Sequence, residues 1–147
     1  MANPMYGQNK FDNALDADAK WYASSELDLT STAAVYPVFD VPAGAYVLDV
    51  KVLVTSAITA GSMDIDVGDG DDADCFVNGW DGTAGSITVA SIHSFGISSS
   101  ATEVGIFTGK YYASADTIDV DINTVATAGK IKLLVNMATH IPSSTPH

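Results

Sequence analysis

The stretch that decides the fold runs from residue 37 to residue 70 and reads PVFDVPAGAYVLDVKVLVTSAITAGSMDIDVGDG. In its long middle segment every second residue is apolar and is predicted to face the core: Leu48, Val50, Val52 and Val54. The same alternation returns further on, in Met63, Ile65 and Val67. A period of two is typical of a β-strand with one buried face. Strands of this kind need a second layer to cover the apolar face, so the stretch predicts a two-layered β-protein.

Strand signals recur along the rest of the chain and are separated by turn residues. The predicted strands cover residues 35–41, 45–55, 62–67, 74–78, 86–92, 103–108, 110–113, 117–123 and 130–137. The short connection TVATAG between the last two predicts a hairpin, which would place Asp121 opposite Lys132. Short strands, regular turns and few helix signals favour an all-β fold, an antiparallel, jelly-roll-like β-sandwich.

The length of 147 residues fits one domain with a core of its own. Residues 1–32 lack the alternation and are predicted to form an irregular or partly helical N-terminal arm that becomes ordered by docking. An ordinary first strand followed by a loop is the alternative for this segment. Residues 33–142 are predicted to form the sandwich, and residues 143–147 a flexible C-terminal tail.

The charge balance excludes some classes of partner. Six lysines, no arginine and eighteen acidic residues give a net charge of −12, which repels phosphate and argues against nucleic-acid binding. No apolar run reaches the roughly 20 residues of a membrane helix, and the N-terminus does not resemble a signal peptide. The single cysteine, Cys75, excludes an internal disulfide and a multi-cysteine zinc site.

The densest polar cluster lies around the Gly-rich turn that ends the opening stretch. Calcium takes six to eight oxygen ligands, and carboxylates on a Gly-rich loop can provide them. The sequence therefore predicts a possible calcium site formed by Asp66, Asp69, Asp71 and Asp74. The EF-hand spacing fails, because the fifth position counted from Asp69 is Ala73 and no glutamate closes the loop. The alternative is a solvated turn whose aspartates bond to their own backbone.

The sequence assigns no catalytic residue and no cofactor, and it predicts that the protein is not an enzyme. His93 and His140 are far apart and show no metal-ligand spacing, and neither a G-x-S-x-G elbow nor a phosphate-binding loop is present. Cys75 lies among apolar residues and reads as a small packing residue. Paired carboxylates carry no weight as a glycosidase signal in a chain so rich in aspartate.

A ligand-binding hypothesis rests on Trp80. With Asn78 and Asp81 beside it, an exposed tryptophan at this position would provide a stacking platform for a sugar. The sequence therefore keeps a carbohydrate- or receptor-binding β-sandwich module, for adsorption or as part of a head fibre, as the alternative function. The competing interpretation of Trp80 is a core or interface residue.

Two runs of sequence resemble small virion proteins of tailed bacteriophages, of the head decoration or cement type. Residues 39–79, FDVPAGAYVLDVKVLVTSAITAGSMDIDVGDGDDADCFVNG, join an apolar strand, a P-A-G turn, a V-x-D-V-x-V strand and a loop similar to vGDGtdpDgf. Residues 117–137, TIDVDINTVATAGKIKLLVNM, resemble the final hairpin of those proteins. The resemblance covers roughly residues 35–140. It implies a β-sandwich made in the host cytoplasm and placed on the capsid surface, either as a decoration protein that binds the major capsid protein or as the base of a head fibre.

Large apolar residues outside the inferred core predict self-association. The arm contains four such residues, which are predicted to form an interface: Phe11, Leu15, Trp21 and Tyr22. Others lie on strand faces opposite the inferred core: Val47, Leu53, Phe107 and Leu134. Clustered residues of this kind need a partner surface, and identical chains usually provide it by cyclic symmetry. The resemblance implies the number of subunits, a homotrimer.

Overall fold

The computed structural model describes residues 19–59, 62–81, 87–94 and 109–139, and the regular elements in these ranges are β-strands. The strands are β1 (Ala19–Ala23), β2 (Leu27–Asp28), β3 (Val35–Val41), β4 (Ala45–Thr59), β5 (Asp64–Asp69), β6 (Val77–Asp81), β7 (Ile92–Ser94), β8 (Lys110–Tyr112), β9 (Asp116–Thr124) and β10 (Ala128–Thr139). No helix in the described ranges has the length and apolar character needed to cross a membrane.

The strands form two antiparallel sheets. The six-stranded sheet has the order β1-β10-β4-β7, with β2 also paired to β10 and β8 also paired to β4. The four-stranded sheet has the order β3-β9-β5-β6. The prediction of an all-β sandwich is confirmed, and its jelly-roll part stays a prediction.

Most strands that follow one another in the chain lie in different sheets, and this makes the predicted β9–β10 hairpin wrong. Asp121 of β9 lies opposite Val35 and Asp66, whereas Lys132 of β10 lies opposite Leu53. The apolar sides of β9 and β10 therefore meet across the core instead of lying side by side. Their connection is fixed to other loops by backbone hydrogen bonds, such as that from Ala126 N to Leu29 O at 2.9 Å.

A β-bulge inverts the first part of β4 relative to the predicted faces. Asn136 pairs with Asp49 and Met137 pairs with Val47, so Leu48 is the extra residue. As a result Val47 is fully buried and Leu48 is 44% exposed, the reverse of the predicted assignment. Beyond the bulge the prediction holds, because Val50, Val52 and Val54 all face the core.

The core fills the space between the inner faces of the two sheets. Its largest fully buried side chains are Phe76, Leu29, Ile58, Met63, Ile65, Ile118, Ile122, Ile131, Leu133, Val41, Val47 and Val52. The turn from β3 to β4 needs glycine, because Gly44 has a φ of 82° at the third position of a turn closed by Ala45 N and Pro42 O.

Some segments differ from the predicted strands. The predicted strand 74–78 is shifted to β6, and in the predicted strand 86–92 Ile87 forms a single bridge to Ile58 while Val89 is 55% exposed. The predicted strand 103–108 lies outside the described residues.

Residues 19–32, assigned from the sequence to the N-terminal arm, contribute β1 and β2 to the six-stranded sheet, where both pair with β10. Residues 1–18 of the predicted arm and residues 140–147 at the C-terminal end lie outside the described residues. The part of the arm that can be placed thus belongs to the sandwich.

Candidate functional site

The end of β5 carries a buried carboxylate that joins the two sheets. Asp69 Oδ2 accepts hydrogen bonds from Lys110 Nζ at 2.5 Å and from the Tyr112 hydroxyl at 2.6 Å, and both donors lie on β8 of the opposite sheet. Its Oδ1 accepts the backbone N–H groups of Asp71 and Asp72, each at 3.1 Å. We call Asp69, Lys110 and Tyr112 the Asp69 network.

The network holds a charged pair and a neutral phenol at neutral pH. Burial alone would raise the pKa of Asp69, but its four hydrogen bonds outweigh burial and place the pKa below its ordinary value. Burial would lower the pKa of Lys110, but the hydrogen bond and charge of Asp69 raise it. The pKa of Tyr112 is raised, first by burial and then by its hydrogen bond to Asp69. Each partner therefore stabilises the protonation state that the others require.

The four predicted calcium ligands do not all converge, since only Asp69 and Asp71 of them lie in one group of carboxylates among the described residues. Asp66 accepts Gly79 N at 2.6 Å and Asn123 Nδ2 at 2.7 Å, while Asp74 accepts Asn78 Nδ2 at 2.5 Å. Among the described residues, the carboxylates that lie within 4.8 Å of one another are instead Asp69, Asp71 and Asp116. The Asp69 carboxylate in this group already accepts four protein donors.

Calcium is expected to leave the thermal stability unchanged. A ligand that binds only the native state must raise the melting temperature, and Asp69 has its oxygens occupied by Lys110, Tyr112 and two amides. Melting curves in millimolar EDTA and in millimolar calcium chloride should coincide. A calcium-dependent rise that disappears in Asp116→Asn would contradict this expectation and locate an ion at Asp69, Asp71 and Asp116.

Cys75 and His93 take packing positions. Cys75 packs against the core, and burial, with the nearby charge of Asp69 as the next cause, raises the pKa of its thiol to about 12. It is therefore protonated at neutral pH, whereas the thiolate is the reactive form. The His93 ring lies 5.0 Å from the Trp80 ring, and its Nε2 lies 3.1 Å from Ser91 Oγ. His140 lies outside the described residues.

Trp80 belongs to the core. Its side chain is 6% exposed and lies opposite Ile65 in the four-stranded sheet, while Asn78 and Asp81 beside it are exposed. Sugar stacking needs an open ring face. The structure therefore places the Trp80 ring where an exposed platform cannot form, and it leaves only the two polar neighbours at the surface.

The outer face of the four-stranded sheet is acidic. Carboxylates on β5, β6 and β9 occupy its outward positions: Asp64, Asp66, Asp81, Asp119 and Asp121. Asp64 lies opposite Asp81, and Asp66 lies opposite Asp121. Burial, followed by the charges of Asp66 and Asp81, raises the pKa of Asp64. We call this surface the acidic face.

The outer face of the six-stranded sheet is different in kind, because it combines apolar side chains with lysines. Its outward apolar residues are Trp21, Tyr46, Leu53, Ile92, Tyr111 and Leu134, and its outward charged residues are Lys51, Lys130, Lys132, Asp28 and Asp49. Trp21, Lys51, Ile92 and Leu134 line one depression, in which Lys51 Nζ lies 5.0 Å from the centre of the Trp21 ring. We call this surface the apolar–lysine face.

Of the predicted interface residues, Trp21 lies on the apolar–lysine face, where it is 50% exposed. Tyr22 points to the other side of β1, and its ring centre lies 6.3 Å from that of Phe39. Phe11, Leu15 and Phe107 lie outside the described residues. The predicted outward positions of Leu53 and Leu134 are confirmed by their register.

Sequence reasoning missed the aromatic pair at one end of this face. Tyr46 and Tyr111 face each other across β4 and β8, with ring centres 4.7 Å apart, and they are 43% and 52% exposed. The alternation along β4 places Tyr46 on the same face as Leu48 and Val50, which is the predicted core face. The bulge at Leu48 reverses the faces of the residues before it, so Tyr46 lies on the outer face instead.

No protein-family model and no curated protein matches the chain. Its fold is similar to a chain of the acidic stable capsid structure of the Helicobacter pylori bacteriophage KHP30, with a TM-score of 0.54 and 18% identity over 86% of this chain and 93% of that chain. A chain of the cyanophage Pam1 capsid asymmetric unit is similar at a TM-score of 0.53 and 18% identity, over 84% of this chain and 86% of that chain. The protein therefore shares its fold with components of two phage capsid structures.

Proposed function

We propose that this protein is a structural component of a phage virion, which decorates and stabilises the capsid by binding the outer surface of the major capsid protein lattice. The observation that carries the proposal is the extent of the structural similarity. The shared fold spans 86% of this chain and 93% of the chain from the KHP30 capsid structure, so the two match over nearly a whole domain.

The side-chain chemistry supports a structural, non-enzymatic role. Among the described residues, the most buried carboxylate, Asp69, is fully engaged by Lys110, Tyr112 and its own turn. The Cys75 thiol is held in its unreactive protonated form. A catalytic group needs a free, accessible atom and a pKa near the working pH, and neither group provides this combination.

Binding to bare capsids tests the proposal. Capsids assembled from the cognate major capsid protein alone should bind the purified chain until a fixed number of sites is filled, and cryo-electron microscopy should show it at regular lattice positions on the outside. Decorated capsids should also resist heat better than bare ones, because the ligand binds only the assembled lattice. A chain that does not bind at micromolar concentration would contradict the proposal.

A homotrimer is part of the proposed function and rests on the resemblance to phage decoration proteins. Light scattering at micromolar concentration should give three times the 15.3 kDa mass of one chain. A monomer mass under these conditions would contradict a trimer in solution, and trimers formed only on the capsid would then be sought by imaging virions.

A further inference from the structure

We propose that Tyr46 and Tyr111 form an oxidative crosslinking site, at which a one-electron oxidant joins the two phenol rings as dityrosine and ties β8 covalently to β4. The inference goes beyond the proposed function and does not depend on it. Its basis is the position of two accessible phenols in contact with each other on the outer face of the six-stranded sheet.

The register of the sheet holds the two rings together. Tyr46 of β4 and Tyr111 of β8 lie directly opposite each other in an antiparallel pair, and their ring centres are 4.7 Å apart with an angle of 40° between the ring planes. Aromatic rings in contact have centres about 4.5–7 Å apart, so this pair lies at the close end of the range. Carbon atoms of the two rings are therefore in van der Waals contact.

Both neighbours of Tyr111 in the chain anchor β8. Lys110 and Tyr112 donate hydrogen bonds to the buried carboxylate of Asp69 in the opposite sheet, and Gly44 N donates to Tyr112 O at 2.7 Å. The Tyr111 ring is thus carried by a strand that is fixed on both sides of it. Reacting groups that are held in contact react with each other much faster than with the same groups on other molecules.

The other tyrosines are placed differently. Tyr46 and Tyr111 are 43% and 52% exposed, so a dissolved oxidant reaches both of them, whereas Tyr112 is only 4% exposed. Tyr22 is 39% exposed, but its ring contact is with Phe39, at 6.3 Å between ring centres. Within the described ranges, the tyrosine rings in contact with each other are those of Tyr46 and Tyr111.

The crosslinking step balances with the oxidant alone. Each phenol gives one electron to the oxidant and its hydroxyl proton to water, which leaves a phenoxyl radical with spin density on the ring carbons beside the C–O bond. The two radicals form one carbon–carbon bond between such carbons, and the hydrogen on each of these carbons then moves as a proton to the oxygen of its own ring. The product keeps both hydroxyl groups and has lost two hydrogen atoms, as two electrons to two equivalents of oxidant and two protons to water.

Photo-oxidation in dilute solution tests the site. Tris(bipyridyl)ruthenium and persulfate generate a one-electron oxidant in light, and the folded wild-type chain should give a monomer that lacks two hydrogen atoms and shows dityrosine fluorescence. Tyr46→Phe and Tyr111→Phe each keep the ring but remove one phenol, so each should lower the dityrosine yield of the monomer by about tenfold or more. Tyr22→Phe removes a phenol that lies beside Phe39 and should leave the yield within about twofold.

The crosslink should also raise the melting temperature. A covalent bond between positions far apart in the chain restricts the unfolded state, as a disulfide does. The oxidised wild-type monomer should therefore melt at a higher temperature than the untreated chain, whereas Tyr46→Phe should gain nothing from the same treatment. This comparison removes the effect of oxidation at Trp21, which is 50% exposed.

Three results would overturn the inference. They are a wild-type monomer that keeps its mass, dityrosine that forms only in covalent dimers, and an unchanged yield in Tyr46→Phe. A crosslinked monomer that melts no higher than the untreated chain would contradict the tie between β8 and β4. None of these measurements involves a capsid, so their outcome is independent of the proposed function.

Discussion

Replacing Asp69 by alanine is expected to lower the free energy of unfolding by about 3–5 kcal/mol, the range seen when one partner of a buried ion pair is removed. The Asp69 side chain has 0% exposure, and it joins Lys110 and Tyr112 of one sheet to the end of β5 in the other. Alanine would take the acceptor from the Tyr112 hydroxyl and from two backbone amides of the turn, and it would leave the Lys110 ammonium with the exposed carboxylate of Asp71 at 3.9 Å. Urea denaturation measures the loss.

Asp71 provides the matched control. Its carboxylate also faces Lys110, but at 3.9 Å and with a side chain that is 85% exposed. Exposed ion pairs contribute little, so Asp71→Ala should change the free energy of unfolding by less than about 1 kcal/mol. Equal stabilities of the Asp69→Ala and Asp71→Ala variants would refute the role assigned to the Asp69 network.

The same network predicts a pH dependence. The pKa of Asp69 is lowered in the folded state, so its stabilisation is present above the unfolded pKa of about 3.9 and is lost as the pH falls through the folded pKa. The pKa of Lys110 is raised, so its contribution is present below about 10.4 and is lost as the pH rises through the folded pKa. The pKa of Tyr112 is raised as well and acts in the same direction at alkaline pH.

The stability difference between the wild type and Asp69→Asn isolates this effect. It should be constant between about pH 4 and pH 10 and decline on both sides, since asparagine does not titrate. The raised pKa of Asp64 has the opposite effect in acid but is common to both proteins, so it cancels in the difference. A difference that stays constant down to pH 2 would contradict the lowered pKa of Asp69.

The two layers of the fold could be predicted from the sequence, but the sheet to which each strand belongs could not. Alternation along residues 117–123 and 130–137 showed which side of each strand is buried, and Ile118, Val120, Ile131 and Leu133 are indeed in the core. Two strands whose apolar sides meet across a core produce the same pattern as two strands paired in one sheet. A short connection then favoured the hairpin, although the connection crosses between the sheets.

The bulge in β4 shows a second limit. Alternation assigns faces correctly only while the register is unbroken, and one extra residue reverses every assignment beyond it. Leu48 is that residue, so Val47 and Leu48 exchange their predicted roles. Nothing in the local sequence, V-L-D-V, marks an extra residue, because its partners Asn136 and Met137 lie nearly ninety positions away.

The Asp69 network was also beyond sequence reasoning, for the same physical reason. The aspartates of the β5–β6 turn are neighbours in sequence and suggested a shared ion, but the partners that neutralise Asp69 come from a strand 41 and 43 residues further along the chain. The position of Trp21 outside the core could be predicted more easily, because large apolar residues near the N-terminus indicate an interface.

Trp80→Ala is expected to lower the free energy of unfolding by about 3–5 kcal/mol, as large-to-small changes of buried aromatic residues do. Trp80 is 6% exposed and pairs with Ile65 across β5 and β6, and its ring centre lies 5.0 Å from that of His93 of the opposite sheet. Its removal would leave a cavity between the two sheets. Chemical denaturation should show a lower midpoint with an unchanged slope.

Asn78→Ala separates this expectation from the sugar-platform hypothesis. Asn78 is exposed and donates one hydrogen bond to Asp74 at 2.5 Å, so its loss should cost about 1 kcal/mol. If Trp80 were an exposed platform, both variants would keep the stability of the wild type and both would lose glycan binding. If Trp80 is a core residue, Trp80→Ala should lower the free energy of unfolding several times more than Asn78→Ala does. It should then weaken capsid binding only through the fraction of chains that is unfolded. Measuring stability and capsid binding for both variants at a temperature well below the melting point of Trp80→Ala therefore decides between the two roles.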